Sequence, residues 1–182
     1  MPSKEGSTMS DRRPVSMEQH HEIAQFLHRE ARMLDNERLR EWLTTVVHPD
    51  IRYQLRMRDE RFRKDKAPQE ERDIWPFDDD YNILDLRVRQ FETGMQTMLD
   101  PAQQMFRVIT NIEAFHNDEE GEFTVLSYGT VSRFRRLYES ERSVYGREDV
   151  LRRGEDGELR LLWRRIELGG RVVRNKNLLF FL

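Results

Sequence analysis

Five histidines, His20, His21, His28, His48 and His116, come first, because imidazole titrates near neutrality and ligates metals. A mononuclear iron or zinc site needs two or three of them to converge with a carboxylate. His21 and His28 stand seven apart and share a helix face, but at the margin of an apolar stripe, and no HExxH spacing occurs. Packed or exposed histidines fit this pattern better than ligands. His48, Asp50 and Tyr53 lie together at the start of a strand and could serve as acid and base in an enclosed pocket. The inward side of that strand, however, reads Ile51, Tyr53, Leu55, Met57, with no carboxylate. His48-Pro49-Asp50 reads as the turn that launches it. The chain has no cysteine, so it offers no thiolate nucleophile, disulfide, thiolate zinc site or cysteine-ligated iron–sulfur cluster. It has no glycine-rich phosphate loop and no nucleophile elbow.

Arginine is the next signal. Of 31 basic residues only Lys4, Lys64, Lys66 and Lys176 are lysine, which leaves 27 arginines. A genome rich in G and C would give this bias, and so would a surface built for contact, since arginine pairs bidentately with carboxylates and is enriched at interfaces. The strand arginines Arg133, Arg135, Arg136, Arg152, Arg153, Arg164 and Arg165 are available for ion pairs across interfaces. With 34 acidic residues the net charge is −3, which gives no general attraction to nucleic acid or to an anionic membrane. The basic run from Arg52 to Lys66 is broken by Asp59, Glu60 and Asp65 and lacks interleaved stacking aromatics. No apolar run approaches the ~20 residues of a bilayer span. The polar N-terminus does not read as a secretory signal, so the cytoplasm is expected.

These residues need a scaffold, and the pattern supplies one. A length of 182 residues predicts one domain at 16–182 preceded by a polar arm at 1–15. Ser16 and Gln19 have capping-box spacing and start a helix whose stripe is Ile23, Phe26, Leu27, Ala31 and Leu34. A shorter helix follows with Leu39, Trp42, Leu43, Val46 and Val47, for which Asp35 and Asn36 can act as caps. From Ile51 to Arg58 apolar and polar residues alternate with the period of a half-buried strand. Residues 59–80 read as a long loop carrying Trp75-Pro76-Phe77, whose aromatics could anchor an interface or pack back on the domain. Asp78 to Asp80 begin a third helix with Leu84, Val88 and Phe91 inward and Gly94 as its stop. From 107 onward the pattern is strands at 107–115, 122–137, 144–153, 158–168 and 171–182. They are separated by turns at 117–121, 154–157 and Gly169-Gly170. Helices followed by a meander of strands predict an α+β fold, a curved antiparallel sheet wrapped around the N-terminal helices.

The ordered residues also resemble a family. Phe26, Leu27, Arg29, Glu30, Ala31, Leu34 and Asp35, then Trp42, Leu43, Asp50 and Tyr53, are similar to the N-terminal half of the small (β) subunits of Rieske-type aromatic ring-hydroxylating dioxygenases. Arg87-Val88-Arg89, Thr110-Asn111-Ile112, the run 146–153 and the terminal run 177–182 fall in the same order. His28 stands where the family has Tyr, and 98–107 keeps only Asp100-Pro101 and Arg107 of a Trp-x-x-x-Pro-Pro-x-Arg run. The resemblance implies the cone-like fold of the nuclear transport factor 2 and cystatin-like superfamily. It implies a β trimer beneath three α subunits, an α3β3 hexamer. It places the Rieske iron–sulfur cluster, the mononuclear iron and the substrate pocket on the α subunit, with electrons from NADH through a reductase and often a ferredoxin. On this reading the chain carries no catalytic, cofactor or metal residue, and Trp75, Phe77, Arg164 and Arg165 are its candidate interface residues. A stand-alone cone-fold isomerase or dehydratase, or a binding module for a small apolar ligand, is the alternative. The former requires an open cavity with facing acid and base.

Overall fold

A computed structural model describes residues 12–57, 74–93, 104–135, 139–169 and 181–182, with the side chains of 74, 135 and 139 left aside. Ser16 caps α1 (Met17–Asp35) through the expected box, its hydroxyl accepting from the Gln19 amide while the Gln19 side chain accepts from the Ser16 amide. The stripe Ile23, Phe26, Leu27, Ala31 and Leu34 is buried, and Glu30 is buried with it. Asn36 closes this helix, donating from its side chain to the Arg32 carbonyl, rather than opening the next one. The turn is completed by Glu37 in the left-handed region, φ 54°. The helix α2 (Leu39–Thr45) then starts at Arg38 without a side-chain cap, so its short length is held by burial of Leu39, Trp42 and Leu43.

The sheet has six strands in the order β2-β1-β6-β5-β4-β3. They are β1 (Val47–Met57), β2 (Ile74–Asp79), β3 (Gln104–His116), β4 (Glu122–Arg135), β5 (Glu139–Arg153) and β6 (Leu159–Leu168). Between β2 and β3 lies α3 (Tyr81–Glu92), capped by the Asp80 carboxylate on the Ile83 amide and burying Leu84 and Val88. Two expectations are corrected here. His48-Pro49-Asp50 lies inside β1, and Trp75-Pro76-Phe77 forms an edge strand paired with β1. The sheet is antiparallel except where β1, the second strand from one edge, runs parallel to β6, the chain returning to β1 only after the four strands β2 to β5. Register shifts in β1–β2, β1–β6, β3–β4 and β5–β6 curve it around the helices. At one of them Asn111 takes φ 52°, the left-handed bulge position. The expected Gly94 stop and the strand at 171–182, apart from Phe181 and Leu182, lie outside the described residues.

Residues 12–15 of the arm lie along β3, with the His116 amide donating to the Arg13 carbonyl and the Val15 amide to that of Ala114. Helix α1 packs across β3 on the concave side and α3 sits over β1 and β2. The enclosed core includes Trp42, Tyr53, Leu55, Val125, Leu151, Leu161 and Ile166. Among the described residues no helix is long and apolar enough to cross a membrane.

Candidate functional site

The concave interior is where a fold of this shape can do chemistry, and four charged side chains meet there. Glu30 comes from α1, Arg147 and Asp149 from β5, and Arg164 from β6. On β5 the alternation Tyr145, Arg147, Asp149, Leu151 points inward, so two ionic residues are carried into the core by the strand's own period. Arg164 is fully enclosed. Its guanidinium donates to Asp149 at 2.8 and 3.0 Å, to Glu30 at 2.8 and 2.7 Å, and to the Leu182 carbonyl at 3.0 Å. Arg147 lies 2.9 Å from the Asp149 carboxylate and 3.4 Å from that of Glu30. The Trp42 indole donates to Glu30 at 3.0 Å. Among the four side chains two cations face two anions, so their charges balance.

Around it a second tier fixes the closing residues. The Tyr53 hydroxyl donates to the Leu182 carbonyl and accepts from the Leu182 amide, both at 2.8 Å. Arg107 pairs with Asp35 and donates to the Phe181 carbonyl at 2.7 Å. The Phe181 ring stacks 4.7 Å from Trp42. Tyr145 lies flat across β4: a Cβ built on Gly129 would stand 2.2 Å from its Cζ, so only glycine admits that ring.

The electrostatics leave little for acid–base catalysis. Burial by itself would raise the Glu30 carboxyl, but Arg164 and Arg147 beside it hold it at about 2. Arg164 is likewise held above its ordinary value against the effect of burial, by Asp149 and Glu30. Burial pushes the Tyr53 phenol up to about 12 and raises that of Tyr145. A base held at about 2 and saturated by two guanidiniums does not accept a proton near neutrality. The arrangement supplies fixed orientation of α1, β5, β6 and Leu182.

The sequence candidates fall elsewhere. Tyr53 is interior, whereas His48 and Asp50 face outward: the Asp50 amide donates to His48 Nδ1 at 3.1 Å, and the trio does not converge. Burial and nearby Arg152 lower the His48 imidazole. His21 and His28 are exposed, His20 bonds the Ile112 carbonyl at 3.0 Å, and His116 stacks on Phe123. Among the described residues no three His, Asp or Glu side chains are grouped to hold a metal. Arg164, expected at an interface, is enclosed by this chain's own residues. Its neighbour Arg165 faces outward and pairs with Glu148. Arg133, Arg152 and Arg153, expected to reach across interfaces, pair within the chain with Glu141, Glu122 and Glu22. Trp75 is 40% exposed, with Arg56 5.7 Å from its ring centroid, and the Arg87 guanidinium sits 4.0 Å over Phe77. Sequence reasoning passed over Glu30, Arg147 and Asp149 as interior groups. The available signal was an acid on the apolar stripe of α1, three residues after Leu27 and four before Leu34.

A curved sheet around helices places the chain in the cystatin-like class. A Nostoc punctiforme protein described as having a cystatin-like fold superposes with a TM-score of 0.53 at 19% identity, over 89% of this chain and 99% of that one. A structure of naphthalene 1,2-dioxygenase with indole in its active site superposes far better, with a TM-score of 0.86 at 24% identity, over 92% of this chain and 88% of that one. The benzoate 1,2-dioxygenase β subunit of Burkholderia mallei gives 0.65 at 17% identity, over 87% and 95%. The family model for ring hydroxylating beta subunits matches residues 29–175, so the chain belongs to that family and is a β subunit of an aromatic ring-hydroxylating dioxygenase.

Proposed function

We propose that the chain is the non-catalytic, architectural subunit of an α3β3 terminal oxygenase. In this reading three copies form a trimer beneath three α subunits. The α subunits supply the Rieske cluster, the mononuclear iron and the pocket in which an aromatic ring is dihydroxylated. NADH supplies electrons through a reductase and ferredoxin, and the assembly works in the cytoplasm. The observation that carries the reading is the interior itself. Where a cone-fold isomerase needs a free acid and base, this chain has Glu30, Asp149, Arg147 and Arg164 neutralising one another. Absence of cysteine supports the assignment of the cluster to the partner. Trp75 and Phe77 on β2 and the outward Arg165 are our candidates for contact with the α subunit.

Co-expression with a candidate α subunit, native mass measurement and iron analysis of each separated chain test this. A hexamer with all its iron on the α chain is expected. Turnover of a substrate by the isolated chain, or tight binding of a transition ion to it, overturns the reading.

A further inference from the structure

The interior holds more hydrogen-bond donors than its carboxylates serve. Arg164 faces both of them and engages all four of their oxygens, one of which also accepts from Trp42. Arg147 is left with oblique contacts. Its Nε lies 2.9 Å from Asp149 but out of line for a hydrogen bond, and its Nη1 comes only to 3.4 Å from Glu30. Its Nη2 finds no acceptor among the described residues, although the side chain is 2% exposed. Tyr145, two positions earlier on the same inner face of β5, is enclosed as well, and its hydroxyl has no partner among the described residues. On β3, Arg107 commits Nη1 to Asp35 and Nη2 to the Phe181 carbonyl, which leaves its Nε without an acceptor among them.

The register brings these groups together. The Tyr145 hydroxyl stands over Gly129, where an added Cβ would lie 2.4 Å from it. Arg147 pairs across β4 with buried Ser127, two residues from Gly129 on the same face. Arg107 pairs with Val131, two residues from Gly129 in the other direction. The hydroxyl therefore has the row of one arginine on each side. Burial raises the Tyr145 phenol even though Arg147, Arg107 and Arg164 favour its ionised form, which marks cations as the strongest charges around it. A buried guanidinium and hydroxyl without acceptors are costly. What relieves them must accept from both. Water accepts but brings two hydrogens of its own, and the carboxylate oxygens beside it are already engaged. A carboxylate accepts at both oxygens and donates nothing.

We infer that the cone interior binds a small carboxylate, of the size of formate or acetate, with Arg147 Nη2 and the Tyr145 hydroxyl as its donors and Arg107 and Ser127 at its flanks. The site stands on this chain alone and does not depend on the subunit reading above. The full chain is melted at neutral pH while formate, and separately acetate, replaces chloride at constant ionic strength. A saturating rise in Tm of about 3 °C or more is expected. Tyr145→Phe keeps the ring and removes only the hydroxyl. It is expected to melt no lower than wild type in chloride and to need about tenfold more formate for the same rise. A wild type whose Tm does not rise, or rises without saturating, overturns the proposal, as does a Tyr145→Phe that responds like wild type. A Tyr145→Phe that melts well below wild type in chloride, or fails to fold, shows the hydroxyl already bonded within the chain and overturns it too. Crystals grown in formate are expected to show the carboxylate between Tyr145 and Arg147; water alone at that position, or formate bound only at the surface, overturns the assignment.

Discussion

Arg164 and Arg165 are neighbours on β6, and the half-turn between them separates two kinds of electrostatics. Arg164 is sealed inside the cone between Glu30 and Asp149, with the Leu182 carbonyl completing its bonds. Arg165 lies on the outer face against Glu148 with about a third of its side chain in solvent, 36%. Both are arginine–carboxylate pairs, but their energetics differ. Water screens the outer pair and replaces it when it breaks, so it adds little net stability. The inner cluster has no water to fall back on. Its charges are costly to bury together, and costlier still to leave one at a time. The cone interior is therefore a lock on the relative positions of α1, β5 and β6, while the outer face keeps charges that a partner can use.

The contrast can be tested, beginning with the largest effect. Arg164→Ala should lower unfolding stability by about 3–5 kcal/mol, because it strands Glu30 and Asp149 in the core, whereas Arg165→Ala should cost at most about 1 kcal/mol. Urea melts of the two variants decide it, and equal losses would erase the distinction between the two faces. Acid sharpens it next. The folded Glu30 carboxyl, about 2, lies below its unfolded value near 4.5. The folded state thus binds fewer protons, and the contribution is complete above roughly pH 4.5 and lost as pH falls toward 2. It amounts to something on the order of 3 kcal/mol at neutral pH. The stability difference between wild type and Glu30→Gln should shrink across that window; a difference independent of pH would mean Glu30 is not held ionised by the arginines.

Smaller effects follow from packing. Gly129→Ala should destabilise by about 1–3 kcal/mol, since the new methyl meets the Tyr145 ring. Combining it with Tyr145→Ala should cost less than the sum of the two single changes, read from a double-mutant cycle in thermal melts. Smallest in stability is Trp75→Ala on the half-exposed edge strand, expected within about 0.5 kcal/mol of wild type. The expected consequence is reduced co-purification with an α subunit, and unchanged co-purification would remove Trp75 from the proposed contact.

Some of this was legible in the residues. The box at Ser16 and Gln19, the stripe of α1, the alternation from Ile51 to Met57 and the turns at 117–121 and 154–157 are local patterns, and local geometry enforces them. Trp75-Pro76-Phe77 was not read as a strand, because proline in a short polar setting resembles a loop until β1 supplies a pairing edge. Nor was the parallel pairing of β1 with β6, which joins segments more than a hundred residues apart. Arg164 illustrates the limit best. Its sequence neighbours Arg160 and Arg165 make surface pairs, and nothing local separates it from them.

By itself the amino-acid order determined the class of the chain: helices, then long strands, no thiol to hold a cluster, and a set of residues in the order of the dioxygenase β subunits. Only the tertiary structure decided which charges are interior. Glu30 and Arg164 lie 134 residues apart, and their meeting depends on the closure of the sheet over α1. Periodicity reports which side of an element faces inward. The partner waiting on that side is set by long-range packing, and on it depends whether a buried charge becomes a catalyst or, as here, a fastening.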